Sequence, residues 1–183
     1  MTEGRNLIIV KGRILHTYRN EKSKALVVTI GTGDNRPNVT ILKGLAEYFE
    51  GEYSVGDMIM VEGNIQSNYR PDKGFGTSII VNRILPLWHS PRKYENEFEI
   101  YGTVKSIVKI GEMHKVNINV VSNGYVSTVP VTFFNNADPR LNYETGEPIK
   151  VTGIIQNSSR IVDGKTQYFQ NYVADSMHRL SWI

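Results

Sequence analysis

The segment Ile59-Met-Val-Glu-Gly-Asn-Ile65-Gln66 returns ninety positions later as Ile149-Lys-Val-Thr-Gly-Ile-Ile155-Gln156, and its alternation decides the fold class. The shared residues, Ile59, Val61, Gly63 and Ile65 with Ile149, Val151, Gly153 and Ile155, occupy every second place. Side chains two apart share one face of a strand, so one core-facing strand is used twice while Met60, Glu62, Lys150 and Thr152 face away. The offset persists on either side: Asn6 falls on Asn96, Gly12 on Gly102, Tyr53 on Tyr143, Gly56 on Gly146, Arg70 on Arg160 and Gly74 on Gly164.

Alternation or dense β-branched content marks further strands near residues 6–18, 24–31, 37–42 and 77–85, and again near 98–109, 114–122, 125–134 and 166–175. Between the third and fourth strands of the first repeat, Lys43-Gly-Leu-Ala-Glu-Tyr-Phe-Glu50 puts Leu45, Ala46 and Phe49 on one helical face, and Gly51 is expected to end the run. The equivalent stretch of the second repeat, Asn135 to Asn142, contains Pro139 and predicts a turn or a short helix. Five strands with a helix between the third and fourth is the OB plan. The expected fold is therefore all-β, two tandem five-stranded OB-fold barrels with a short helix in the first. Pro86-Leu-Trp-His-Ser-Pro-Arg-Lys-Tyr94, stiffened by two prolines, separates the repeats. The boundary is placed near Ser90, giving a first OB fold over 1–88 and a second over 89–183.

With 40% apolar and 21% charged residues, the 183-residue chain has the composition of a soluble globular protein. Its net charge of +3 divides evenly, 11 cations against 9 anions in residues 1–91 and 10 against 9 in residues 92–183. Charge alone does not point to a polyanion, so the question is where the cations lie. The absence of cysteine excludes disulfides, thiolate metal sites and cysteine nucleophiles, and His16, His89, His114 and His178 lack ligand spacing. No cofactor or metal is expected. The apolar stretch Leu7 to Val10 is too short for a signal-peptide core and no run approaches membrane-spanning length, which predicts a cytoplasmic protein without a membrane partner. Gly31-Thr-Gly33 and Lys73-Gly-Phe-Gly76 are read as hairpin turns, since neither opens a helix as a phosphate-binding loop must. The carboxylates are single and scattered, so no catalytic residues are assigned and no enzyme is expected.

OB barrels that hold single strands combine a basic groove with aromatic platforms, because every base offers a face for stacking. The loop between the first two strands, Tyr18 to Lys24, carries three cations and a ring, and Arg13 lies on the strand before it. The loop between the last two strands, Ser67 to Gly76, holds Tyr69, Arg70, Lys73 and Phe75 in what reads as a flexible frame. In the second repeat Lys115, Tyr125, Phe134, Arg160 and Tyr168 occupy comparable places, and Asn117 and Asn119 alternate outward from Val116, Ile118 and Val120. With Arg36 before the third strand, these residues form the expected nucleic-acid contact set: Arg13, Tyr18, Lys24, Arg36, Tyr69, Arg70, Lys73, Phe75, Lys115, Tyr125, Phe134, Arg160 and Tyr168. A tyrosine on a strand is also a common core residue, and some of the ten tyrosines are expected there.

Val39-Thr-Ile-Leu-Lys-Gly-Leu-Ala-Glu47, Gly51-Glu-Tyr-Ser-Val-Gly56 and Val61-Glu-Gly-Asn-Ile-Gln66, taken together, resemble the bacterial single-stranded DNA-binding protein family, with its phage and plasmid relatives. The resemblance covers residues 6–85 well; the second repeat keeps only the strand from Gly146 to Gln156. It implies an OB fold and, since a minority of members carry two barrels per chain, a homodimer presenting four. Where the family has a tryptophan and a phenylalanine flanking the third strand, the first repeat has Arg36 and Leu42. Aligning Val131-Thr-Phe-Phe-Asn135 with Val39-Thr-Ile-Leu-Lys43 puts Phe134 in the phenylalanine's place, and Tyr69 lies within one position of a third family ring. The chain stops at His178-Arg-Leu-Ser-Trp-Ile183 without the family's acidic tip, which suggests a phage, plasmid or conjugative version.

The function expected is sequence-tolerant binding and protection of single-stranded DNA during replication, recombination or plasmid and phage DNA transfer, with replication or transfer proteins as partners. RNA stays open as a ligand, since stacking and a basic groove accept either sugar. The competing expectation is an OB-fold adaptor of the replication-restart or primase accessory type working through protein contacts.

Overall fold

A computed structural model of the chain describes residues 4–71, 74–89, 95–122, 124–134 and 142–180. Strands β1 (Arg5–Arg19), β2 (Leu26–Gly31), β3 (Asn38–Ile41), β4 (Met58–Arg70) and β5 (Gly74–Pro86) form the first barrel, with helix α1 (Lys43–Glu52) between β3 and β4. Strands β6 (Glu95–Ile110), β7 (Met113–Ser122), β8 (Tyr125–Phe134), β9 (Pro148–Val162) and β10 (Lys165–Arg179) form the second. Closure has the same logic in each. β1 pairs antiparallel with both β2 and β4, and β3 meets β5 in parallel at Thr40 and Ile80. β6 pairs with both β7 and β9, and β8 meets β10 in parallel at Thr132 and Val173.

The quoted repeat is the inner face of β4 and β9, where Ile59, Val61, Ile65, Ile149, Val151 and Ile155 are fully buried or nearly so. Its glycines follow from closure. A Cβ on Gly63 would stand 2.3 Å from the Ile80 carbonyl oxygen, and one on Gly153 would stand 2.1 Å from that of Val173. Gly12 and Gly102 sit one residue before Arg13 and Thr103, where β1 and β6 pass from one partner strand to the other, and a Cβ on either would run into a carbonyl oxygen of the neighbouring strand. Asn6 and Asn96 solve a related problem. Asn6 donates to the Ile65 carbonyl at 2.7 Å and accepts from its N–H at 2.9 Å; Asn96 holds Ile155 at 2.5 and 2.9 Å. Each carboxamide continues the ladder past the last paired backbone residues.

β1 and β6 pair antiparallel from Arg5 opposite Tyr101 to Lys11 opposite Glu95, so all ten strands belong to one continuous sheet. The pairing is centred on Ile8 and Phe98, equivalent positions under the ninety-residue offset. The two barrels are thus related by a local two-fold axis, as two identical subunits would be.

Several elements differ from expectation. α1 runs through Gly51 to Glu52 and ends at the extended Tyr53, with Ala46 and Phe49 buried against the core. Lys24, expected in the second strand, precedes it in a left-handed turn with φ 57°. Ser67 to Gly76 is a ribbon rather than a flexible loop: β4 and β5 pair as far as Arg70 and Gly74, and Tyr69 faces Phe75. The equivalent ribbon of β9 and β10 turns on Asp163 and Gly164, both at positive φ, the two-residue hairpin geometry. Of the expected glycine-pair turns, Gly33 lies in a turn and Gly74 opens β5, both at positive φ, whereas Gly31 and Gly76 lie within β2 and β5. Pro86, assigned to the connection, is the last residue of β5. Ser90 lies outside the described residues, as do residues 135–141 of the turn expected in the second repeat.

Candidate nucleic-acid interface

Strands β2 and β3 of the first barrel and β7 and β8 of the second each bury one side and turn the other to solvent. On β7, Val116, Ile118 and Val120 are buried while Lys115, Asn117 and Asn119 face out, opposite Thr132, Pro130 and Thr128. The outer row is tied by hydrogen bonds from Asn117 to Ser106 at 2.9 Å, Thr128 to Asn119 at 2.9 Å and Lys105 to Thr128 at 3.2 Å. Phe134, the last residue of β8, lies opposite Met113 and is half exposed; Tyr125, the first, is 80% exposed. In the first barrel Tyr18 is exposed on β1 opposite Val27, and Arg36 is exposed just before β3.

The two ribbons carry the other rings. Tyr69 and Phe75 are cross-strand partners with ring centroids 5.0 Å apart, and Phe75 is 85% exposed. Arg70 pairs with Gly74 at the end of the same ribbon, and Lys73 lies outside the described residues. On the second ribbon Tyr168, 80% exposed, is opposite Ser159, whereas Arg160 is opposite Gln167. Neighbouring register positions alternate, so Tyr168 and Arg160 lie on different faces of the ribbon. The Arg160 guanidinium lies 4.5 Å from the Phe169 ring centroid, and Tyr168 has the exposed Ile161 as its diagonal neighbour.

Charge pairing separates the cations into two groups. Among the described residues, Arg5, Lys11, Arg19, Arg83, Lys150 and Arg179 enter ion pairs. Lys24, Arg36, Lys115 and Arg160 enter none. Arg19, one of the three loop cations, is held by Glu50 of α1 through a two-pronged contact, and that contact keeps the Glu50 carboxyl below its usual pKa. Arg13 donates to the Gly56 carbonyl at 2.7 Å, which ties down the turn before β4. Lys150 and Arg5 flank Glu99 on the outer side of the central strands, and the Lys150 contact lowers the Glu99 pKa.

A groove of about 450 Å³ opens on that outer side, lined by Leu7, Ile9 and Ile154 with Glu97, Glu99 and Asp175. Its acidic rim makes it a poor place for phosphate. No group of three acidic or histidine side chains among the described residues is placed to hold a metal, and no helix among them is long and apolar enough to cross a membrane.

Arg13 apart, the contact set thus falls in five places: Tyr18 and Lys24 at the end of β1 and the turn after it, Arg36 on the entry to β3, each of the two ribbons, and β7 and β8 with Phe134 and Tyr125. Sequence reasoning passed over Phe169, Ile161 and Trp88. Phe169 meets Arg160 only through hairpin register, which no local pattern displays. Trp88, 86% exposed beyond the end of β5, was visible as a large ring in a connection.

No protein-family model matches the chain, and no curated protein does. Among solved structures it is similar to a deletion variant of the single-stranded DNA-binding protein from Thermus aquaticus, with a TM-score of 0.74 at 14% identity over 100% of this chain and 98% of that one. The wild-type Thermus aquaticus protein gives 0.72 at 15% identity over 99% and 95%. At such identities the likeness shows the fold alone, matched end to end.

Proposed function

We propose that this chain is a non-enzymatic binder of single-stranded DNA, tolerant of sequence, that covers and protects strands exposed during replication, recombination or the transfer of plasmid or phage DNA. The observation that carries the reading is the joint exposure of Tyr69, Phe75, Tyr125, Phe134 and Tyr168 with the unpaired Lys24, Arg36, Lys115 and Arg160 on the open strands and ribbons of two OB barrels. Exposed rings are what a stacked base needs and what a solvated hairpin has no reason to present in such number. The end-to-end likeness in fold to the single-stranded DNA-binding protein from Thermus aquaticus supports it. The division at residue 88 and cytoplasmic residence belong to the same reading. So does a homodimer, for which the apolar patch of Leu7, Ile9 and Ile154 offers a meeting face.

The adaptor reading draws on the Arg19–Glu50 pair and on Arg36 and Leu42, which remove one loop cation and leave two flanking positions of β3 without rings. Fluorescence anisotropy separates the two. Labelled oligo-dT, mixed-sequence DNA of the same length, its duplex and the matching RNA are titrated at two salt concentrations. The expected result is binding to both single-stranded DNAs, at least about tenfold weaker binding to duplex, and a salt slope of about −0.7 per neutralised phosphate. Equal affinity for RNA would broaden the ligand class. No binding to any of the four would overturn the proposal in favour of the adaptor.

A further inference from the structure

The base of each ribbon is hydrogen-bonded to the other barrel. Asn157, at the base of the β9 and β10 ribbon, accepts from the Arg36 N–H at 2.8 Å, and its own N–H donates to Asn35 at 3.3 Å. Its cross-strand partner Gln170 takes the Asn38 N–H at 2.7 Å and donates to the Asn38 carbonyl at 3.3 Å. The base of the second ribbon is therefore fastened along the entry to β3 of the first barrel. The first ribbon does the reverse: Ser67, at its base, accepts from the Thr128 N–H of β8 at 3.2 Å. These bonds obey the local two-fold. Thr40 and Thr132 hold the same place in the two parallel ladders, which makes Thr128 the counterpart of Arg36, as Ser67 is of Asn157 under the ninety-residue offset.

From each anchor the ribbon runs on. Tyr69 stands two residues beyond Ser67, and Tyr168 two beyond Gln170 on the same face as that anchor, each roughly 7 Å along a strand. On the strands that receive them, Tyr125 is three residues from Thr128 and Arg36 is the anchored residue itself. We propose that each nucleic-acid groove of this protein is composite: the ribbon of one barrel completes the open strands of the other, so Tyr69 serves with Tyr125, and Tyr168 with Arg36. This rests on the single-strand binding proposed above and adds how the site is divided between the repeats. Neither barrel carries a whole groove.

The test counts surviving sites. Short oligo-dT of about ten nucleotides, within the span of one barrel, is titrated against the full chain and four double alanine variants at these exposed positions, each first checked for an unchanged melting temperature. Two variants pair positions across the repeats, Tyr69→Ala with Tyr125→Ala and Arg36→Ala with Tyr168→Ala. Two pair positions within a repeat, Arg36→Ala with Tyr69→Ala and Tyr125→Ala with Tyr168→Ala. A composite arrangement confines each cross-repeat change to one groove, so at least one such variant keeps a site of wild-type affinity while both within-repeat variants lose about tenfold or more at every site. Survival of a wild-type site in a within-repeat variant, or its loss from both cross-repeat variants, overturns the inference and leaves single-strand binding standing. A wild-type chain that binds no oligonucleotide overturns both.

Discussion

At the scale of single residues, the repeat is held by groups whose replacement has a readable cost. Asn96 is buried, and its carboxamide satisfies both the N–H and the carbonyl of Ile155. Asn96→Ala leaves both without a partner and should cost about 2 kcal/mol in a urea melt, whereas Asn6→Ala, at a part-buried site, should cost less because water can replace the bonds. Equal losses would contradict that account. Gly12 and Gly44 make a matched contrast. A Cβ at Gly12 would run into the Gly31 carbonyl, while one at Gly44, in α1, meets nothing within 4 Å. Gly12→Ala should destabilise by about 1–3 kcal/mol, and Gly44→Ala should stabilise by about 0.4–1 kcal/mol by restricting the unfolded chain.

Among elements, the first ribbon and the central strands respond to different probes. Phe75 is almost fully solvated, so Phe75→Ala should leave the melting temperature unchanged while weakening oligo-dT binding about tenfold, the loss of one stacked base. A lower melting temperature with unaltered affinity would make the Tyr69 and Phe75 pair a structural clasp. The central strands answer to pH. Lys150 holds the Glu99 carboxyl below the ordinary range, so the stability this pair confers is complete above that range and fades as pH falls through the lowered value. For Lys150, raised by the same contact, the contribution is lost only as pH rises past its ordinary 10.5. Melting temperatures taken from pH 7 down to about 3 should fall less steeply for Glu99→Gln than for wild type, and parallel profiles would refute the linkage.

For the molecule as a whole, pairing between β1 and β6 turns two closed barrels into one sheet. The stretch Arg5 to Lys11 has β6 along one side, and the isolated first barrel would expose that edge. Calorimetry of the full chain should therefore show one cooperative transition. Two resolved transitions would mean that the barrels are energetically independent despite the shared ladder.

Strand alternation, the repeated glycines and the helical face of Leu45, Ala46 and Phe49 were legible in the sequence because each depends on neighbours two to four residues away. So were the cations and rings on exposed strands, since an outward position on an alternating strand announces itself. What the sequence left open is governed by pairings across 30 to 130 residues. The bond from Arg36 to Asn157 spans 121 residues, and that between Arg19 and Glu50 spans 31. Local pattern alone was enough to specify two OB barrels with rings and cations on their exposed strands and ribbons. Which cations stay unpaired and to which barrel each ribbon is anchored came from the folded chain, because ion pairs and ribbon anchors form wherever closure of the two barrels brings distant residues together.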